Sequence, residues 1–353
     1  MPRVVPSEVG RPVTTEPTAT RAPNIRDVAR EAGVSYQTVS RVLNDSPRLR
    51  PETRQRVMEV IEQLGYRPNQ AARALVTSKS KVIGVLVATR AAAYGAQTIL
   101  YEIEDAAREA GYTLAIVTTA SDDRSVRDAL DQLEGQSVRA VAVVAPQARV
   151  FDLLRSTPLR VPYVLLDPDR RDVPHSISVD QFEGARLATR HLIGLGHRRI
   201  LHLAGPQDWI EAEARMQGYL REIADSELSV RPPVLGDWTA EFGYRAGQEL
   251  IAREDFTAVF CSNDLMALGL LHAFAEARID VPQDVSVVGF DDIPEAAHYS
   301  PPLTTVRQDF AEIGRRSVDL LLAELGEGGK LHTDPIQPQL ILRSSTSAPG
   351  GRS

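Results

Sequence analysis

Cysteine and long apolar runs are almost absent from this 353-residue chain. Cys261 is the only cysteine, so no intramolecular disulfide can form. No apolar run approaches the roughly 18 to 20 residues that a membrane-spanning helix needs. The N-terminus also lacks a charged start followed by an apolar core, which is the pattern of a secretion signal. These absences predict a soluble, cytoplasmic protein that does not contact a membrane.

The usual sequence signs of catalytic and metal centres are missing too. The 7 histidines show no metal-like pairing, and the GLG at 194–196 lacks the third glycine of a dinucleotide fingerprint. Ser78 and Lys81 have S-x-x-K spacing, but they stand in a linker without a strand-to-helix elbow. His197 in a loop and Cys261 in an apolar strand are expected to be structural. The sequence therefore predicts no catalytic residue, no metal and no cofactor.

Acidic residues are scarce at one end of the chain only. Residues 1–80 hold 13 Lys and Arg against 8 Asp and Glu, a net of +5. The other 27 basic and 39 acidic residues give −12, and together these account for the overall charge of −7. A basic head on an acidic body predicts that only the head meets a polyanion.

The basic head has the local signals of a helix-turn-helix. Asn24 can cap the helix IRDVAREA, Gly33 ends it, and Ser35 can cap the next helix, YQTVSRVL. The apolar residues of that second helix face inward, which leaves Tyr36, Gln37 and Arg41 pointing outward. Gln and Arg carry donors and acceptors that can read base edges in the major groove. The alternative to base reading is that these three residues form an ordinary solvated face of the helix. The tight glycine turn and the basic charge of the segment argue against that alternative.

Two further helices are predicted before residue 80. Pro51 opens the third, and its apolar stripe of Val57, Val60, Ile61 and Leu64 runs to Gly65. The segment YRPNQAARAL at 66–75 starts a helix at Pro68 that makes only about two turns. Such a helix is marginal alone in water, so it should fold against a second copy in a dimer.

The runs IRDVAREAGVSYQTVSRVLN and RPETRQRVMEVIEQLGYRPNQAARAL resemble the DNA-binding headpiece and hinge helix of the LacI/GalR family of transcriptional regulators. One departure is Arg50, where the family usually has a capping residue before the third helix. The resemblance implies that base-reading residues lie on the second helix and that a hinge leucine enters the minor groove. The implied DNA-binding residues are Ser35, Tyr36, Gln37, Arg41, Asn44, Asn69, Ala72 and Leu75.

Beyond residue 80, continuous β-branched runs alternate with amphipathic helices, such as those expected at 97–110, 182–194 and 309–325. This alternation is typical of a doubly wound α/β fold with parallel sheets, and about 270 residues should form two lobes. LIGLGHRRILHLAGP, NDLMALG, DVSVVGFDD and PPLTTVRQDF are similar to the effector-binding core of the same family. That core has the fold of periplasmic sugar-binding proteins.

The predicted organisation follows from these signals. It comprises a Pro- and Thr-rich disordered leader at 1–23, a helix-turn-helix domain at 24–65, a hinge helix and linker at 66–80, a two-lobed effector-binding and dimerisation domain at 81–345, and a disordered tail at 346–353. Lobe one is expected at about 81–180 and 308–335, and lobe two at about 181–307 and 336–345. The final segment has no leucine heptad, which favours a homodimer over a tetramer.

Several predicted strands end in polar residues, and ligands of open parallel sheets collect at the carboxyl ends of strands. By resemblance to a galactoside-responsive member of the family, six positions are implied to contact a sugar. They are Asp167, Arg215, Trp238, Asn263, Asp291 and Phe310. Carboxylate, amide and guanidinium groups pair with vicinal hydroxyls, and an indole offers a flat face to a sugar ring. The resulting hypothesis is a repressor of sugar-utilisation genes that binds an operator in double-stranded DNA and is controlled by a sugar, favouring a galactoside.

Other interpretations stay open at this point. Trp238 alone would more often be a core aromatic, and Tyr94 either fills space in the pocket or stacks on a second sugar. The effector is alternatively another sugar or a nucleoside. A glycosidase-like enzyme with Asp167 and Asp291 as its carboxylate pair is disfavoured, because a hydrolase does not need a basic helical head.

Overall fold

The computed structural model describes residues 23–43, 49–66, 80–88, 94–157, 159–166, 175–253, 255–332 and 334–350. Its helices are α1 (Ile25–Glu31), α2 (Tyr36–Leu43), α3 (Pro51–Leu64), α4 (Tyr94–Glu109), α5 (Asp123–Gly135), α6 (Ala148–Ser156), α7 (Gln181–Gly194), α8 (Ile210–Asp225), α9 (Ala240–Leu250), α10 (Asp264–Glu276) and α11 (Phe310–Glu324), with a 3-10 helix at Pro294–His298. Its strands are β1 (Val82–Val87), β2 (Thr113–Thr118), β3 (Ala140–Val144), β4 (Tyr163–Leu166), β5 (Ser176–Ile177), β6 (Ile200–Ala204), β7 (Val234–Leu235), β8 (Ala258–Cys261), β9 (Ser286–Asp291), β10 (Thr304–Arg307) and β11 (Gln339–Ile341). The chain divides into two compact units, residues 1–80 and 81–353.

The described part of the first unit is a three-helix cluster whose helix ends follow from the sequence. The Asn24 side chain accepts hydrogen bonds from the backbone N–H groups of Arg26 and Asp27, and the Asp27 carboxylate accepts one from Asn24 N–H in return. This reciprocal cap satisfies donors that the first helical turn leaves free. Gly33 and Gly65 adopt φ of +62° and +60°, the left-handed conformation that ends helices α1 and α3.

The starts of helices α2 and α3 also agree with the sequence pattern. The Ser35 hydroxyl accepts a hydrogen bond from Thr38 N–H at 3.1 Å at the start of α2. Arg50 makes no side-chain cap at the start of α3, where Pro51 supplies the first helical residue. The core is built from valines and alanines, namely Val28, Ala29, Ala32, Val39, Val42, Val57 and Val60.

The second unit contains two sheets with the same winding. The first has the order β2-β1-β3-β4-β5 and is parallel throughout. The second has the order β11-β10-β9-β8-β6-β7, parallel except for the antiparallel edge pair β10–β11. Both are doubly wound, as the β-branched runs predict.

Apolar residues on the central strands alternate between two cores, one on either face of each sheet. On β1, Val85 packs with helices α4 and α11, whereas Leu86 packs with α5 and α6. Helices α7 to α10 cover the second sheet in the same way. We call the first sheet with its helices lobe one and the second sheet with its helices lobe two. Across the described residues, no helix has both the length and the apolarity to cross a membrane.

The chain's last described segment differs from its prediction. Residues 346–350 were expected in a disordered tail, but Ser347 hydrogen-bonds lobe two through its backbone. Its carbonyl lies 2.9 Å from His197 Nε2 and its N–H donates to Ser286 Oγ at 3.0 Å. The polar, Gly- and Ser-rich composition concealed these contacts, because they are made by backbone groups.

Candidate functional site

The outward face of α2 has the arrangement that the sequence predicts. Val39 and Val42 are buried, while Tyr36, Gln37 and Arg41 are exposed, Tyr36 to 44%. The face therefore presents an aromatic ring, an amide and a guanidinium that a base edge can meet. Ser35 is exposed at the start of the helix but uses its hydroxyl as the cap. Asn44, Asn69, Ala72 and Leu75 lie outside the described residues.

The second unit contains a pocket between its lobes with about 780 Å³ of empty space, part of which is open to solvent. It lies at the carboxyl ends of β3, β4 and β9, where the winding of each sheet predicts a crevice. Five predicted effector residues line it, namely Arg215, Trp238, Asn263, Asp291 and Phe310. The sixth, Asp167, lies outside the described residues, next to the pocket residue Leu166.

A chain of hydrogen bonds joins the pocket's buried cation to its buried anion. Arg215 Nε donates to Gln181 Oε1 at 2.8 Å, Gln181 Nε2 donates to Gln308 Oε1 at 2.6 Å, and Gln308 Nε2 donates to Asp291 Oδ1 at 2.7 Å. Arg215 Nη2 closes the ring at 3.5 Å from the same Asp291 oxygen. Arg215 also donates to the Ser262 carbonyl and stacks over Phe290 at 3.9 Å. We call Arg215, Gln181, Gln308 and Asp291 the polar ring.

Asp291, at the end of β9, has a raised side-chain pKa and a strained backbone conformation. Burial raises the pKa of its carboxyl to about 6, although Arg215 and the hydrogen bond from Gln308 favour the charged form. Its backbone φ is +109°, in a region that costs a non-glycine residue free energy. Strain and a perturbed pKa together at one cleft residue are typical of functional sites.

Trp238 is both a core residue and a wall of the pocket. It is 7% exposed, its ring centroid lies 5.5 Å from that of Trp209, and the Arg215 guanidinium lies 5.4 Å from its ring. A Cβ atom at Gly205 would overlap the indole, so the ring lies directly on that glycine. The backbone φ of Trp238 is +73°, and the Asn263 side-chain amide donates a hydrogen bond to the Trp238 carbonyl at 3.0 Å. Its buried Nε1 has no protein partner among the described residues.

Asn263 is placed by the helix that it caps. Its Oδ1 accepts a hydrogen bond from Met266 N–H at 2.9 Å at the start of α10, and its Nδ2 supports Trp238. Both sides of the amide are therefore oriented before any ligand binds. Such preorganisation reduces the conformational cost of binding.

The described lobe-one wall is mostly apolar. Tyr94, Ile99 and Phe310 line it, with the Tyr94 and Phe310 rings edge to face at 5.9 Å and 73°. Ile313 from the next turn of α11 completes this surface. The pocket therefore combines a polar floor on lobe two with an apolar wall on lobe one.

The pocket residues that the sequence did not predict include Gln181, Trp209, Glu211 and Gln308. Glu211 and Arg215 stand four residues apart on α8, a spacing that could have placed both on one face. The glutamines each stand beside an Asp that caps a helix, which is a weak signal.

Two acidic residues next in sequence to Asn263 and Asp291 have structural roles, and so does the cysteine. Asp264 is fully buried and accepts hydrogen bonds from Ile293 N–H and Thr305 Oγ1, whereas Asp292 pairs with Arg307 and Arg343. Cys261 is buried, as predicted for a small core residue.

His197 is buried and hydrogen-bonded to Thr257 and Ser347, which confirms its structural interpretation. Within the described ranges, no group of three or more His, Cys, Asp or Glu is placed to hold a metal ion.

Comparisons with known proteins match both units. A model of bacterial regulatory proteins of the lacI family matches residues 24–69, and a periplasmic binding protein-like domain matches residues 189–346. The repressor PurR of Haemophilus influenzae strain PittEE is 34% identical over 332 residues, covering 92% of this chain and 98% of that protein. PurR of Mannheimia succiniciproducens is 34% identical over 328 residues, covering 91% and 98%.

Solved structures agree with these matches. The lac repressor dimer bound to operator and the anti-inducer ONPF has a TM-score of 0.84 and 31% identity, covering 93% of this chain and all of that one. The regulator CelR in complex with cellobiose has a TM-score of 0.65 and 31% identity, covering 92% and 99%.

Proposed function

Because this chain belongs to the LacI family of bacterial regulatory proteins and is a DNA-binding transcriptional repressor, we propose that a sugar, in the first place a galactoside, binds its interlobe pocket and controls its operator binding. The observation that carries this proposal is the polar ring beside the indole of Trp238. A guanidinium, a carboxylate and amides on one side match vicinal hydroxyls, while the indole matches the apolar face of a hexose.

Similar solved structures support a glycoside over a free hexose. One neighbour is the lac repressor bound to ONPG, with a TM-score of 0.84 and 31% identity, and another is the CelR–cellobiose complex. The apolar wall of Tyr94, Ile99 and Phe310 offers a second surface beyond the polar ring, which suits the substituent of a glycoside. Asp167 would add an acceptor from lobe one.

A purine or nucleoside is the second candidate effector. The relatives named as the transcriptional repressor PurR share 34% identity with this chain. The aromatic residues of the pocket, Tyr94, Trp209, Trp238 and Phe310, suit a flat base as well as a sugar ring.

For operator binding, we assign base reading to Tyr36, Gln37 and Arg41, with support from Ser35 and Asn44. Asn69, Ala72 and Leu75 are assigned to the hinge helix, and Leu75 to the minor groove. Two headpieces of a homodimer would read two half-sites of a pseudo-palindrome. A ligand that prefers one lobe arrangement lowers operator affinity if that arrangement separates the hinge helices.

The test uses the full-length protein and duplexes selected from a random library at low ionic strength. We expect a pseudo-palindromic site whose affinity falls steeply with salt, because phosphate contacts release counterions. Methyl β-D-galactopyranoside should release the duplex, whereas hypoxanthine and adenosine should not. Release by a purine alone would replace the sugar proposal with the second candidate. Turnover of a chromogenic galactoside would contradict a repressor without enzymatic activity.

A further inference from the structure

The two lobes of the second unit are connected by three crossings of the chain, one between β5 and α7, one between β10 and α11, and one between α11 and β11. Any change in the lobe arrangement has to be accommodated in these three segments. The first and third crossings are joined by their backbones. Val179 and Ile336 form a parallel bridge, Asp180 N–H donates to the Ile336 carbonyl at 3.0 Å, and Ile336 N–H donates to the Ser178 carbonyl at 2.8 Å.

The first and second crossings are joined by side chains. Gln181 follows Asp180 at the start of α7, and Gln308 lies between the end of β10 and Phe310. Their amides hydrogen-bond each other at 2.6 Å, and both residues are buried, at 3% and 7% exposure. This amide pair therefore links two crossings directly.

The same amide pair connects the charged groups of the pocket. The three hydrogen bonds of the polar ring run in one sense, from the guanidinium of Arg215 through both amides to the carboxylate of Asp291. Turning either amide over would place its NH₂ against Arg215 or its carbonyl against Asp291. The cation and the anion thus determine which way each amide faces, and chains of this kind strengthen cooperatively.

We propose that Gln181 and Gln308 are positioning residues that couple occupation of the pocket to the arrangement of the lobes. The proposal rests on the proposed function, because it requires a ligand that engages Arg215 or Asp291. A ligand hydroxyl that bonds either charged group competes with a ring hydrogen bond. The amides respond together, and the crossings that carry them shift with respect to each other. A ligand can shift the balance between two lobe arrangements only if it binds them with different affinity. The amide pair provides this difference, because the hydrogen bonds at the pocket change with the lobe arrangement.

The first experiment compares Gln181→Met, Gln308→Met and the double variant with wild type. Methionine keeps the length of the side chain and removes the amide. The matched control is Gln337→Met, because Gln337 is exposed on the third crossing and bonds only the nearby Pro335 carbonyl among the described contacts. The measured quantity is the ratio of operator dissociation constants with and without saturating methyl β-D-galactopyranoside, or with the purine if that is the ligand that acts on wild type.

We expect each single variant to reduce this ratio at least about fivefold, the lower end of typical allosteric coupling. The double variant should lose no more than the worse single variant, because one break already opens the ring. The control should keep the wild-type ratio. The proposal would be overturned if either single variant kept the wild-type ratio of operator dissociation constants. It would also be overturned if the fold-reductions of the two single variants multiplied in the double variant.

The second experiment needs no ligand, so it separates this proposal from the identity of the effector. Hydrogen exchange is followed by mass spectrometry in peptides covering 176–184 and 334–341. In the ring variants we expect exchange at the Asp180 and Ile336 amides to rise about fivefold, while peptides from α5 stay protected and show that the lobe is folded. Unchanged exchange at both crossings would reject the coupling even if the sugar proposal holds. Faster exchange would support the link between the amide pair and the crossings even if no tested sugar or purine acts on wild type.

Discussion

Gly205→Ala is expected to damage the ligand pocket by adding a single methyl group beneath Trp238. The added Cβ would lie 2.5 Å from Trp238 Cζ2 and 2.7 Å from Cζ3, closer than real side chains approach. The indole has little room to retreat, because Trp209 packs against it and Asn263 holds its carbonyl. The ring is therefore expected to shift towards the pocket.

Forcing a methyl group into a packed site costs about 1 to 3 kcal/mol. If that cost falls on the liganded state, the affinity for the effector drops between about fivefold and 150-fold, since about 1.4 kcal/mol corresponds to a factor of ten. If it falls on both states, thermal stability drops instead. Isothermal titration with methyl β-D-galactopyranoside and thermal unfolding of the unliganded protein separate the two cases.

Gly194→Ala is the matched control within the same lobe. It lies at the end of α7, its φ is negative, and an added Cβ would meet nothing within 4 Å. An alanine there should be neutral or stabilising by about 0.5 to 1 kcal/mol, because glycine costs helix entropy. If Gly205→Ala matches wild type in both ligand affinity and stability, the indole of Trp238 is not confined by Gly205, Trp209 and Asn263.

Two further predictions concern the base-reading face and the buried carboxylate. Arg41→Ala should weaken binding to the selected operator by about 1 to 3 kcal/mol and relax one base position, as measured by competition with single-base variants; an equal loss on all sequences would show that Arg41 contacts only phosphate. Because burial raises the pKa of Asp291 to about 6, galactoside affinity should fall about tenfold from pH 8 to pH 5 as the carboxylate that accepts its hydroxyls is protonated. Because the folded protein binds this proton more readily than the unfolded chain does, the free energy of unfolding should rise as pH falls from 7 towards 5, while galactoside binding weakens. Calorimetric titrations across this range, with Asp291→Asn as a pH-insensitive control, check the slope, and a flat wild-type profile would contradict it.

In the first unit, local sequence signals correctly predict where the described helices begin and end. Asn24, Gly33, Ser35 and Gly65 act as the caps and stops that their residue types predict. Caps and turns depend on neighbours within four residues, so the sequence contains all the information they need. The outward position of Arg41 follows in the same way from the inward positions of Val39 and Val42.

In the pocket, local sequence signals do not predict which of two neighbouring polar residues faces the ligand. Asn263 and Asp291 were predicted in the site and line it, yet their sequence neighbours Asp264 and Asp292 turn to Thr305 and Arg307 instead. Asn263 caps a helix that Asp264 begins, and Asp291 and Asp292 both have positive φ where β9 ends, so the residue types of such a pair do not reveal which one faces the ligand.

Local sequence signals are enough to predict the helix ends of the first unit, the parallel character of the two sheets and the strand ends where a ligand could bind, because each depends on short-range sterics and on the period of apolar residues. Only the tertiary structure brought Gln181 and Gln308 together, across 127 positions of the chain, between Arg215 and Asp291. A buried amide satisfies its donors and acceptors with whichever partners the packed chain provides, and no local pattern specifies those partners.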